Sequence, residues 1–134
     1  MVLQAHGMGL PVVLATNPVF PERVVRMRMR WGGLDDLPFQ YMSSADSMRY
    51  CKPKVNYFRA VCAQGGFDPA QCIMVGNDPD KDLAAIELGM HVFLLRSAKS
   101  YAHWWRLPNA QRERCWVGSI AQLHDFFETW RPQA

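Results

Sequence analysis

Cys72-Ile73-Met74-Val75-Gly76-Asn77-Asp78-Pro79-Asp80-Lys81-Asp82 opens the stretch that decides the fold, and His91-Val92-Phe93-Leu94-Leu95 closes it. Apolar side chains at successive rather than alternate positions over 72–76 and 91–95 predict strands covered on both faces. Asn77-Asp78-Pro79 is turn chemistry and also helix-start chemistry, because Asp is a good N-cap and proline suits the first helical position. The helix it opens runs over 80–88 and stops at Gly89. Strand, short turn, helix, glycine stop and strand make the βαβ unit of a parallel sheet. The fold class is α/β, an open three-layer parallel sheet.

Working outward, Pro11-Val12-Val13-Leu14-Ala15-Thr16 is a further buried-type strand that stops abruptly at Asn17-Pro18. Residues 1–9 read as the tail of a helix ending at Gly7 and Gly9. Pro21-Glu22 opens a helix over 21–31, closed by Gly32-Gly33, and a strand follows over 39–43. On that helix Arg23, Arg26 and Arg30 share one face, and Val24, Met27 and Trp31 share another. This predicts a solvated amphipathic helix rather than a nucleic-acid surface. The next helix starts at Pro53, carries Tyr57, Phe58, Val61 and Cys62 on one face, and ends before Gly65-Gly66. After Arg96 the periodicity weakens. Trp116-Val117 suits a short edge strand, and 119–130 is an amphipathic helix with Ile120, Leu123, Phe126 and Phe127 facing inward. Tyr101, His103, Trp104 and Trp105 belong to a segment covering the last strand.

The 134 residues, nearly half of them apolar, suit one domain over 1–134. The formal charge of +3 is mild, and the chain has no basic stripe interleaved with aromatics, so a nucleic-acid partner is not expected. Cys51, Cys62, Cys72 and Cys115 form no CxxC pair and no metal-ligand spacing, and read as reduced, mostly buried thiols. Cys51 has no paired histidine and is assigned to packing. His6, His91 and His124 show no ligand spacing. No apolar run is long enough to span a bilayer, and the first residues lack an export signal. The expectation is a cytoplasmic protein with no membrane partner.

Ligands of parallel α/β sheets bind outside the carboxyl ends of the strands. Those ends are Thr16-Asn17, Ser43-Ser44, Asn77-Asp78 and Arg96-Ser97, with Lys52 just before the helix at Pro53. Hydroxyls, an ammonium and several carboxylates are what phosphoryl transfer uses: donors for phosphate oxygens, a cation against developing charge, and oxygens for a divalent metal. In this order and on these elements, Val12 to Asn17, then Lys52-Pro53, then Met74 to Asp82 resemble the later motifs of haloacid dehalogenase-like (HAD) hydrolases. Gly89-Met90 before the next strand also fits. The resemblance covers roughly residues 11–96 and implies a HAD-like, Rossmann-type core. It implies that Thr16 bonds the transferring phosphoryl group, helped by the Asn17 N–H. Lys52 would neutralise charge, with Lys54 its weaker rival. Asp78 and Asp82 would hold Mg²⁺, with Asn77 adjacent. Asn77 stands where an Asp is commoner in the family, which leaves the direct metal contact open between Asn77 and Asp78. The implied substrate is a small phosphorylated metabolite.

The family normally begins with a strand ending in Asp-x-Asp, whose first Asp attacks phosphorus and whose second is the general acid/base. The aspartates here are 35, 36, 46, 68, 78, 80, 82 and 125, and none follows an apolar strand upstream of Thr16. In the family that strand is central, between the Thr16 strand and the Gly76 strand. The expectation is a partial core lacking its first central strand, with negligible phosphatase activity alone and exposed strand edges. Such a chain would self-associate or be complemented by an upstream segment. The stretch between Thr16 and Lys52 has room for a helix, a strand and short loops, so no cap domain is expected within the chain. Two functions remain: part of a Mg²⁺-dependent phosphohydrolase working through an aspartyl-phosphate, or a non-catalytic binding or regulatory module that keeps the fold.

Overall fold

A computed structural model describes residues 1–132 and divides the chain into two units, Met1–Cys51 and Lys52–Ala134. In the first unit, helix α1 (Val2–Gly7) precedes two short parallel strands, β1 (Val13–Leu14) and β2 (Tyr41–Met42), with Val13 opposite Tyr41. Both strands are shorter than the runs 11–16 and 39–43. Flanking backbone bonds extend the pairing, from the Gln40 N–H to the Val12 carbonyl at 2.7 Å and from the Ser43 N–H to the Leu14 carbonyl at 3.0 Å. Helix α2 (Glu22–Trp31) connects them, its free N-terminal N–H at Glu22 donating to the Asp46 carboxylate at 2.7 Å. The buried stripe of α2 is Val25 and Met29, whereas Met27 and Trp31 are exposed, Trp31 by 76%. The face shared by Val24, Met27 and Trp31 is therefore not the one that α2 buries. Both sets have helical spacing and lie side by side on the cylinder, so periodicity alone does not choose between them.

In the second unit, α3 (Val55–Gly65) buries Tyr57, Phe58, Val61 and Cys62, as the spacing predicts. It ends where Gly66 takes the left-handed conformation at φ 69°. A 3₁₀ turn, Pro69–Gln71, leads into β3 (Ile73–Gly76), which pairs in parallel with β4 (His91–Leu95). Strand β4 pairs in parallel with β5 (Cys115–Gly118), giving the order β3-β4-β5. The central β4 buries Val92, Phe93 and Leu94 almost completely, which is why its sequence is a continuous apolar run. Between β3 and β4 the expected single helix splits into α4 (Pro79–Asp82) and a 3₁₀ stretch, Leu83–Leu88. Gly89, at φ 92°, ends it. The fold class is α/β with parallel sheets, as predicted.

Two helices lie where the sequence pattern fades. Helix α5 (Ala98–Arg106) is capped by Ser97, whose Oγ accepts from the Ser100 N–H at 3.0 Å, and a short α6 (Asn109–Arg112) follows. The Trp104 indole N–H donates to the Cys115 carbonyl at 3.0 Å, and Arg112 lies over the Trp104 and Trp105 rings. Helix α7 (Ile120–Thr129) opens with a capping box between Ser119 and Gln122. Leu123 and Phe127 are buried and Phe126 packs on Phe93 and Trp116. Ile120 is 68% exposed, so its expected inward position is corrected: it sits at the first helical residue, ahead of the buried stripe. Among the described residues no helix is long and apolar enough to cross a membrane.

His91 lies flat against Trp116, with ring centroids 5.8 Å apart, and its buried Nδ1 has no hydrogen-bond partner. Burial, and then the nearby Arg114 charge, hold its imidazole below the usual histidine range. A base depressed in the folded state takes up a proton first in the unfolded chain. Stability is therefore complete above the unfolded value, near 6.5, and falls as the pH drops below it. The urea midpoint is expected to decline between about pH 7.5 and about pH 5.5. In His91→Phe, which keeps the stacking, that decline shrinks. An equal decline in the variant would assign it to other groups.

Candidate functional site

Strand β3 ends at Gly76 because the chain must leave space for Asp82. A Cβ built on Gly76 would overlap the Asp82 carboxylate, and would lie 2.7 Å from its Cβ. Asp82, returning on α4, is 3% exposed. Its Oδ1 accepts from Lys52 Nζ at 2.7 Å and its Oδ2 from the Asp78 N–H at 3.2 Å. The Lys52 side chain is 8% exposed and lies 5.7 Å from the centre of the buried Tyr57 ring. An ammonium this deep is tolerable only against a carboxylate and a π-face. The Lys52–Asp82 contact is therefore a structural necessity as well as a chemical resource.

Asp78 caps α4, its Oδ1 accepting from the Asp80 N–H at 3.1 Å, so the helix-start reading of this stretch is correct in its own right. Its carboxylate remains about a third exposed, with Lys99 Nζ at 3.4 Å and Lys81 Nζ at 4.0 Å. Asp80 ion-pairs with Lys99, and with His103 Nε2 at 2.9 Å. The Lys99 ammonium, then His103, hold the Asp80 carboxyl below its usual range, and Asp80 in turn raises the Lys99 ammonium. Lys99 and His103 thus strap α5 to the loop after β3. Asn77 is exposed at the strand end.

Of the expected site residues, the second unit brings Lys52, Asp82 and the Asp78 backbone together. Lys54 is exposed and precedes α3 as its cap residue, which leaves Lys52 as the lysine at the strand end. In the first unit Thr16 and Asn17 follow β1, and Ser43 Oγ donates to the Thr16 carbonyl at 2.6 Å. Ser43 and Ser44, after β2, are buried. Cys51 is exposed, so packing does not account for it. Sequence reasoning missed Tyr57 as the floor under Lys52, and Lys99 and His103 as the strap. The signal for the strap was present: Ser97, three residues before Ser100, is an N-cap, and it puts 99 and 103 on one helical face.

The HAD-hydrolase-like family profile matches residues 49–123, which hold Lys52, the whole of β3 to β5 and the Asp78–Asp82 turn. The chain belongs to the HAD-like hydrolase family. Solved structures agree on the fold of this HAD-like chain. It is similar to a predicted phosphoglycolate phosphatase of Haemophilus somnus 129pt, with 24% identity and a TM-score of 0.70, over 94% of this chain and 53% of that one. It is also similar to a HAD phosphatase of Thermococcus onnurineus, with 18% identity and a TM-score of 0.71, over 97% and 56%. A HAD family hydrolase of Deinococcus radiodurans R1, solved with bound phosphate and sodium, gives 15% identity and a TM-score of 0.66, over 91% and 53%. The chain thus spans about half the length of these structures. No curated protein matches it.

Magnesium, the ion typical of HAD phosphatases, can be tested against the residues present. Among the described residues no group of three or more His, Cys, Asp or Glu side chains could hold a metal. Asp78 and Asp82 are nevertheless hard oxygen donors at one strand end, and Mg²⁺ takes one or two carboxylates while keeping waters and phosphate oxygens. Asp82 has one oxygen on Lys52 and the other on the Asp78 N–H, so the carboxylate open to an ion is Asp78. The donor set fits an ion held largely by water and phosphate, and does not fit a cage built by protein alone.

Proposed function

We propose that this HAD-like chain forms the phosphate- and cation-handling part of a Mg²⁺-dependent phosphomonoester hydrolase, and does not turn over phosphate esters by itself. The observation that carries this reading is the buried Lys52–Asp82 pair, seated at the β3 end beside Asp78. Lys52 would offset charge on the phosphoryl oxygens, its position fixed by Asp82 below the reacting group. The family resemblance also assigns phosphate binding to the Thr16 hydroxyl and the Asn17 N–H in the first unit. Asp78 would hold the ion, with Asn77 and Asp82 adjacent. When bound, Mg²⁺ would orient the phosphate and offset its charge. The substrate class is a small phosphorylated metabolite.

Turnover through an aspartyl-phosphate also needs an attacking carboxylate. None of the eight aspartates follows an apolar strand upstream of Thr16, and positioning cannot replace the nucleophile. An Asp-x-Asp strand from elsewhere would have to complete the core. That same observation favours the second reading, a binding or regulatory module. An aryl phosphate assay with Mg²⁺ separates the readings. The pure chain is expected to release no phenol above the protein-free blank, and clear turnover would overturn the inactivity. Joining an Asp-x-Asp strand ahead of Met1 is expected to create Mg²⁺-dependent turnover that Lys52→Met abolishes. If it creates none while phosphate still binds, the module reading stands.

A further inference from the structure

Asp78 is the carboxylate left open at the β3 end, because Asp82 has one oxygen on Lys52 and the other on the Asp78 N–H. Its charge is already answered from another helix. Lys99, in the first turn of α5, brings its Nζ to 3.4 Å from Asp78 Oδ1. The same ammonium is ion-paired with Asp80 Oδ2, so it sits between two carboxylates. His103, one turn further along α5, holds the other Asp80 oxygen through Nε2 at 2.9 Å, and its Nδ1 meets the Lys99 carbonyl at 2.9 Å. The start of α5 is fixed as well: Ser100 is fully buried and its Oγ donates to the Leu95 carbonyl at 2.9 Å. Lys81 offers the contrast. It approaches Asp78 Oδ2 at 4.0 Å from within α4, three residues on. A pair of that kind, with its lysine in solvent, holds the ammonium loosely.

We propose that Lys99 is the resident counter-ion of Asp78, a built-in cation that a divalent metal must outcompete and that keeps the metal affinity of this strand end low. The inference rests on the reading of Asp78 as the carboxylate that holds the ion. An ammonium a few ångströms from a carboxylate satisfies the charge that would draw a dication in, and repels the dication itself. Asp80 gives the ammonium a second anchor, so an arriving ion can take Asp78 while α5 stays strapped to the loop. Asp80 adds little pull of its own, because Lys99 and His103 already occupy its oxygens. The consequence is that metal alone fills the site weakly. The negative charge and oxygens of a phosphate bring the ion in, which ties metal binding to the presence of substrate.

The probe is Mn²⁺ alone, titrated into the full chain and followed by water-proton relaxation, a readout that needs no turnover. Lys99→Met is expected to bind Mn²⁺ roughly fivefold more tightly than the parent, the effect of one unit charge about 4 Å away in water. Lys99→Arg, which keeps the charge, is expected to stay within about twofold of the parent, and so is the loosely held Lys81→Met. The side chains of Lys99 and Lys81 are 53% and 51% exposed, so these substitutions leave the core intact. Asp78→Asn is expected to abolish binding. Lys99→Met at the parent's affinity, or equal tightening in Lys81→Met, overturns the proposal and leaves Asp78 as the ion's ligand. Asp78→Asn binding as tightly as the parent, or no Mn²⁺ bound by any of these proteins, overturns the reading of the ion site and the proposal with it.

Discussion

Asp82→Ala is expected to destabilise the second unit by about 3–5 kcal/mol, among the largest single effects available in this protein. The reason is what the substitution leaves behind. Lys52 Nζ, with its side chain only 8% exposed, loses the carboxylate 2.7 Å away, and the Asp78 N–H loses its acceptor. A buried ammonium deprived of its carboxylate costs far more than the pair contributes when intact, because the favourable contact mainly offsets the loss of water by both ions. Lys52→Met alone strands the Asp82 carboxylate in the same way, although the Asp78 N–H still bonds it. The double change Lys52→Met with Asp82→Ala removes both charges, and is expected to recover most of the loss. Urea unfolding of the four proteins gives the coupling directly. If each single variant loses less than about 1 kcal/mol, the pair is solvated in solution and the burial argument fails.

The outcome also explains why this site was only partly legible in the sequence. Strands β3 and β4 were legible because burial on both faces leaves continuous apolar runs, Ile73 to Val75 and Val92 to Leu95. Their connecting turn was legible because Asp78 and Pro79 are used for capping whatever else they do. Helix α5 was not, because few apolar contacts hold it. The Trp104 indole bond to the Cys115 carbonyl and the Lys99 and His103 pairs with Asp80 secure it instead, and such contacts leave no apolar periodicity. On α2 two neighbouring apolar stripes satisfied the same helical period, and only the packing of Val25 and Met29 decided between them. Lys52 was chosen over Lys54 through a family pattern rather than through physics. The physical reason is the buried Asp82 carboxylate, thirty residues away in sequence.

Gly76→Ala carries the second large effect, expected at about 3 kcal/mol of destabilisation. Gly76 does not have the positive φ found at Gly66 and Gly89, so an alanine backbone fits and the cost is steric. The added methyl would occupy the place of the Asp82 carboxylate. A flexible side chain would swing away, but Asp82 is tied at both oxygens, to Lys52 and to the Asp78 N–H. Relieving the overlap therefore means breaking the buried ion pair or moving the end of β3. Two comparisons isolate this mechanism. Gly7→Ala, where a Cβ would meet nothing within 4 Å, is expected to stay within about 0.5 kcal/mol of the parent. In an Asp82→Gly background, which lacks the three atoms nearest the added methyl, Gly76→Ala is expected to lose most of its cost. If the penalty were undiminished there, the glycine would be serving the strand itself. Asp82 would then not be what fixes the shape of this strand end, and the argument that it sets the position of Lys52 would fall with it.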